Sequence, residues 1–143
     1  MENILLKKRR EEIIKLFDTA PIKHVYGMEL SYDNQGNAVF DLPYNSKFDH
    51  AMGGTHGGAI ATLLDNAGWF TLAPHFDHWI ATVEFSTRLL APVSQSHLRA
   101  IGKIIRLGKK ISVAEMKVTT DKEDLIACGS GTFMVTSVPF QLS

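Results

Sequence analysis

One cysteine, Cys128, occurs in the 143 residues, so an intrachain disulfide is excluded and a reducing, cytoplasmic setting is the simplest expectation. Neither sign of charge predominates: Lys plus Arg and Asp plus Glu each number 15, which leaves no global field to draw the chain to nucleic acid or to an anionic membrane. No apolar run approaches the roughly 20 residues that a bilayer-spanning helix needs. The amino terminus offers only Ile4-Leu5-Leu6 before Lys7-Lys8-Arg9-Arg10, too short and in the wrong order for a secretory signal. An apolar fraction of 45% excludes disordered and fibrous classes and leaves one domain of ordinary size with a real core.

Residues 2 to about 19 read as an amphipathic helix with an interrupted stripe of Ile4/Leu5, Ile13/Ile14 and Leu16/Phe17, ended by Pro21. The basic run Lys7 to Arg10 is largely neutralised at helical spacing, Lys7 with Glu11 and Lys8 with Glu12. Two short strands are expected over His24–Tyr32 and Asn37–Leu42, joined by the turn Asp33-Asn34-Gln35-Gly36. The second half is strand-like: Thr82, Glu84, Ser86 and Arg88 alternate with Val83, Phe85, Thr87 and Leu89, and further strands are expected at about 96–107, 110–120 and 125–136.

Between these halves lies Gly53-Gly54-Thr55-His56-Gly57-Gly58, followed to Leu72 by a run apolar around its whole circumference, the pattern of a buried helix. One acid, Asp65, sits in its middle and cannot easily turn outward to water. A carboxylate under that desolvation cost is a candidate for chemistry. The glycines mark the start of the same helix, where free N–H groups and the dipole favour a developing negative charge. A helix apolar on all sides followed by hairpins implies an α+β fold, a sheet wrapped around that helix, with dimerisation as the remedy for its open edges.

His56-Gly57-Gly58 with Leu64-Asp65-Asn66, then Thr82-Val83-Glu84-Phe85, Leu90-Ala91-Pro92 and Gly129-Ser130-Gly131-Thr132-Phe133 give the chain its family likeness. In this order and spacing it resembles the hotdog-fold acyl-CoA thioesterases of the PaaI-like, phenylacetate-degradation type, over about residues 24–136. The resemblance implies a division into an N-terminal helix (1–23), a hotdog domain (24–136) and a tail (137–143). It implies acyl-CoA as substrate, no cofactor and no metal, and a homodimer or homotetramer with active sites at the dimer interface.

Residue by residue, it assigns Asp65 as general base or nucleophile, Gly57 as the N–H donor to the thioester carbonyl, and His56 as an orienting group. Thr82 would hold the attacking water from the opposite subunit. His50 stands where relatives commonly carry Asn and adds a titratable group beside the water site. A thioester suits such equipment, because sulfur gives its carbonyl little resonance stabilisation and a thiolate leaves readily; one carboxylate, one water and one oxyanion donor suffice.

Gly58 belongs to the same helix start, and Arg88, Lys109 and Lys110 beside Gly108 are the cations available to coenzyme A phosphates. Each also has a plainer reading: Asp65 a satisfied buried acid, His56 a helix-start residue, the glycines close packing, Thr82 an ordinary strand residue and the three cations solvated strand ends and turn. His75 and His78 have metal-like spacing but no accompanying Cys or His cluster. A non-catalytic acyl-CoA sensor and an enoyl-CoA hydratase of the same fold remain open. Trp69, Phe70, Phe48 and Met52 could line an acyl or aryl pocket, yet equally could be core or interface.

Overall fold

The computed structural model describes residues 3–141. Asn3 caps the first helix, α1 (Ile4–Asp18), its side chain accepting the N–H groups of Leu5 and Leu6, and α1 buries Ile13 and Phe17. Lys8 and Glu12 approach to 4.0 Å on its outer face. Pro21 does not simply stop a helix; it opens a second one, α2 (Pro21–Tyr26), closed by Gly27 in the left-handed region at φ 72°. Pro at the first position and Gly just past the last are favoured helix boundaries, and here they override the strand expected over 24–32. Strand β1 is therefore short (Glu29–Tyr32), and β2 (Ala38–Leu42) follows a turn in which Asp33 Oδ1 accepts the N–H groups of Gln35 and Asn37.

After a 3₁₀ turn at Ser46–Phe48 comes α3 (Gly57–Leu72), prolonged by a second 3₁₀ turn at Ala73–His75. Four strands complete the fold: β3 (His78–Leu89), β4 (Leu98–Arg106), β5 (Ile111–Thr120) and β6 (Leu125–Pro139). All pairings are antiparallel, and the six strands run in the order β1-β2-β4-β5-β6-β3. The sheet wraps α3, as the sequence implied for this α+β, hotdog-like fold. Its inner face carries Ala100, Gly102, Ala114, Met116, Val118 and Phe133 against Leu63, Leu64, Ala67 and Leu72. Gly102 permits that approach, since a Cβ there would stand 2.2 Å from the Ala67 carbonyl oxygen.

Strand β6 outruns its expected end at 136, and the segment assigned to a tail continues it: Phe140 packs edge-on to Trp69 at 6.2 Å and donates its N–H to Asp77 O. At one edge of the sheet, β3 is long and unpaired along one side, with Val83 56% and Leu89 54% exposed. Long apolar edges are what soluble proteins cover. Among the described residues, no helix is long and apolar enough to cross a membrane.

Candidate active site

His56 is the N-cap of α3 with an extended backbone (φ −63°, ψ 134°), and its Nδ1 accepts the Gly58 N–H at 2.8 Å. Ala59 and Ile60 direct their N–H groups to His56 O. Of the first-turn amides, that leaves the Gly57 N–H with no acceptor among the described residues. It borders a cavity of about 260 Å³ lined by His50, Thr55, Gly57, Ile60 and the segment from Leu89 to Val93. His50 enters from a tight turn: its N–H bonds Gly54 O, its carbonyl accepts from Gly53 N, and its Nδ1 accepts the Met52 N–H at 3.1 Å. A neutral His50 ring held this way carries its proton on Nε2 and is a donor on its other edge.

Asp65 lies two turns further along α3. The helix is apolar around its circumference, yet the sheet leaves one stripe of it partly open, Ala61, Thr62, Asp65 and Asn66, so Asp65, expected not to reach water easily, is half-buried rather than enclosed. Helix α2 lies beside this stripe, with Tyr26 Oη 3.2 Å from Thr62 Oγ1. Asp65 Oδ1 accepts from Thr82 Oγ1 at 2.8 Å within the same chain, whereas the resemblance implied a hydroxyl from the opposite subunit. Burial pushes the Asp65 carboxyl above the usual carboxylate range, and the Thr82 hydrogen bond opposes that rise.

The inward aim of Thr82 comes from a bulge. Thr82 pairs with the buried Phe133, and after a register shift Glu84 pairs with Thr132, whose hydroxyl it accepts at 2.6 Å on the outer face. Simple alternation had put Thr82 on the face of Glu84, Ser86 and Arg88; the extra residue rotates it toward α3. Arg88 pairs with Cys128, five residues from Phe133 on β6, so Arg88 projects from the face opposite to Thr82. Lys109 and Lys110 lie at the other end of the sheet, since neighbouring Ile111 pairs with Met134, six residues or about 20 Å along β6 from Cys128. The three cations thus do not converge within one chain. Gly108 forms a tight corner: its N–H bonds Ser112 Oγ at 3.0 Å, and a Cβ would meet Ile111 O at 2.1 Å.

Asp65 and Thr82 border a second cavity, about 300 Å³, whose other lining residues include Phe17, Ala20, Ile22, Trp69, Phe70 and Trp79. This cavity shares no lining residue with the one at Gly57. Along α3, Gly57 and Asp65 are eight residues apart, about 12 Å of helix. Within a single chain the two groups open to different cavities. A larger cavity of about 720 Å³, between residues 91–97 and 120–126, holds none of the sequence-derived site residues, and its lining carries both signs of charge, Asp121 and Asp124 with Lys122.

Of the four aromatic and methionine side chains that could line a pocket, Trp69 and Phe70 line the Asp65 cavity; Phe48 and Met52 do not. Phe48 stacks on Tyr26 at 4.5 Å and Met52 is 90% exposed. Phe17 is legible from the sequence only as part of the α1 stripe, and Ala20 and Ile22 not at all while Pro21 reads as a stop; Pro21 at the start and Gly27 just past the end of six residues are the signal for α2. His75 and His78 gain no companions: among the described residues no group of three or more His, Cys, Asp or Glu is arranged to hold a metal.

The sequence profile of the "Thioesterase superfamily" matches residues 52–127. A protein of Halobacterium salinarum provisionally named an esterase is 29% identical over 122 residues, 76% of this chain and 80% of its own length. The 1,4-dihydroxy-2-naphthoyl-CoA hydrolase of Listeria monocytogenes is 26% identical over 116 residues, 80% and 94% of the two chains. Among solved structures, the E. coli PaaI protein from the phenylacetic acid degradation operon superposes with a TM-score of 0.86 at 15% identity, covering 94% of this chain and 98% of that one.

Proposed function

The chain belongs to the thioesterase superfamily, and from that membership and the geometry around α3 we propose that it hydrolyses acyl-CoA thioesters to the free acid and coenzyme A. The observation that carries this reading is the pairing of an open helix-start N–H at Gly57 with a half-buried carboxylate, Asp65, held by Thr82. In the reaction, Asp65 takes one proton from a water whose other O–H donates to the Thr82 hydroxyl oxygen, the Thr82 proton being held by Asp65 Oδ1. The water oxygen bonds to the thioester carbon, and the carbonyl electrons move onto oxygen. Gly57 N–H at the positive end of α3, with the Nε2–H of His50 on the same cavity, stabilises that oxyanion. Collapse re-forms the carbonyl and breaks the C–S bond. The thiolate leaves, and the proton held on Asp65 passes to it or to solvent.

The opening of Gly57 and Asp65 to separate cavities makes a homodimer part of the proposal. The exposed β3 edge supports antiparallel pairing with a second copy, which exchanges the ends of β3 across a two-fold axis. Gly57 packs by Leu89 at one end and Asp65 by Thr82 nearer the other. Exchange therefore brings the Gly57 cavity of one copy toward the Asp65 cavity of the other. Lys109 and Lys110 lie on the Asp65 side and remain candidates for the phosphates of a substrate bridging the two, whereas Arg88 projects from the outer face. Two such dimers could pair further into a tetramer.

A panel of acyl- and aryl-CoAs with a thiol-trapping readout tests the reaction: CoA release from at least one member is expected, and release from none overturns the proposal. The pH profile tests the base. Activity needs the Asp65 carboxylate, so kcat should climb through an acid limb lying above the ordinary carboxylate range. Thr82→Val removes the hydrogen bond that favours the ionised form, so its acid limb should move to higher pH, while Thr82→Ser keeps the wild-type limb. An unshifted limb in Thr82→Val would separate Thr82 from the base.

A further inference from the structure

We infer that the corner between α1 and α2, through Ala20 and Ile22, is the adjustable wall of the acyl pocket and sets the size of acyl group accepted. This rests on the thioesterase reading of Asp65. The family profile begins at residue 52, so this wall comes from a part of the chain outside it. Apart from Asp65, Asn66 and Thr82, the cavity of about 300 Å³ is walled by apolar side chains. Its volume is at the lower end for small-ligand sites, enough for one compact, ring-sized acyl group rather than a long chain.

The far side of this cavity is rigid. Trp69 Nε1 donates to Ile80 O at 2.8 Å, fixing the indole, and Trp69 meets Phe70 at 4.6 Å and Trp79 at 4.8 Å between ring centroids. Phe17, 2% exposed, stands edge-on to Phe70 at 5.1 Å. Rings locked in this way do not yield to a longer guest without loss of packing. The near side is different. Ala20 is the N-cap of α2 with an extended backbone and no side-chain cap bond, and Ile22 is 40% exposed at the rim. Side-chain size at these two positions can vary without disturbing a hydrogen bond, and each step in size adds or removes room beside Asp65.

The test is the ratio of kcat/KM for phenylacetyl-CoA to that for acetyl-CoA. Ala20→Phe should lower this ratio at least about tenfold, a few methylene-equivalents of lost contact. Ile22→Ala should move preference toward acyl groups longer than phenylacetyl. Equal losses on both substrates in folded variants would overturn the wall, leaving the hydrolase reading intact. Ile22→Trp at the exposed rim supplies a variant that needs no room in the core; it should narrow the range as Ala20→Phe does, and an unchanged ratio contradicts the inference.

A readout independent of turnover comes from fluorescence, because the chain has two tryptophans and both, Trp69 and Trp79, line this cavity. Titration with uncharged phenylacetamide should change wild-type emission saturably, and the response should weaken in Ala20→Phe. Absence of any response in the wild type, or an undiminished one in the variant, would count against the inference even if the chain cleaved no thioester at all.

Discussion

Asp65→Asn is expected to lower kcat on acyl-CoA by about 10²–10⁴-fold, the usual worth of a positioned base, while raising thermal stability at neutral pH. The substitution is nearly isosteric, and the Asn carbonyl can still accept from Thr82 Oγ1, so the loss isolates the negative charge. The stability gain follows from the raised carboxyl. Burial makes the folded form bind a proton more readily than the unfolded chain. Wild-type stability therefore falls as pH rises from the ordinary carboxylate value, 3.8, through the raised folded value, a loss the Asn variant does not have. The difference in Tm should be small at low pH, grow through that window and level off at neutral pH. A variant that turned over at the wild-type rate would remove Asp65 from the chemistry. One that lost activity and also melted lower at neutral pH would make it a structural acid.

Gly57→Pro is expected to cost about 10²–10³-fold in kcat, the loss typical of one oxyanion donor. Proline has no N–H, and its preferred place in a helix is the first position, where Gly57 stands. The preceding residue must be extended, and His56 already is, at ψ 134°. A Cβ at 57 meets Leu89 Cδ1 at 2.5 Å, but Leu89 is half-exposed and its tip can swing away. Gly57→Ala makes the same contact and keeps the N–H, so it should retain most of the activity that Gly57→Pro loses. Comparable losses in both would trace the effect to packing at Leu89 instead of the amide.

Much of this arrangement was open to reading because its signals are local. His56-Gly57-Gly58 before an apolar run marks a helix start, and a lone acid in that run stands out whatever surrounds it. The alternation in residues 78–139 gave four strands with ends wrong by a few residues. What stayed hidden depends on single insertions and on contacts distant in sequence. The bulge at Thr82/Glu84 adds one residue to a strand and turns Thr82 to the other face, which no period-two pattern reveals. Pro21 is compatible with ending one helix or opening the next, and Gly27 decides between them only once its left-handed backbone is known. The proposed base, Asp65, and the proposed anion hole at Gly57 were both visible on α3. That they face separate cavities follows from helix rise together with the walls that β3 and α2 put around each.

Mixed dimers test the central claim most directly. If each site joins Asp65 and Thr82 of one chain to Gly57 of its partner, a dimer of Asp65→Asn with Gly57→Pro contains one intact site and one doubly damaged one. After subunit exchange at equal concentrations, half the dimers are mixed, and activity should recover to about one quarter of wild type. Asp65→Asn mixed with Thr82→Val damages the same half-site in both chains and should recover nothing. The account is contradicted if the Asp65→Asn and Gly57→Pro chains demonstrably exchange without recovery, or if recovery appears in the Asp65→Asn and Thr82→Val mixture.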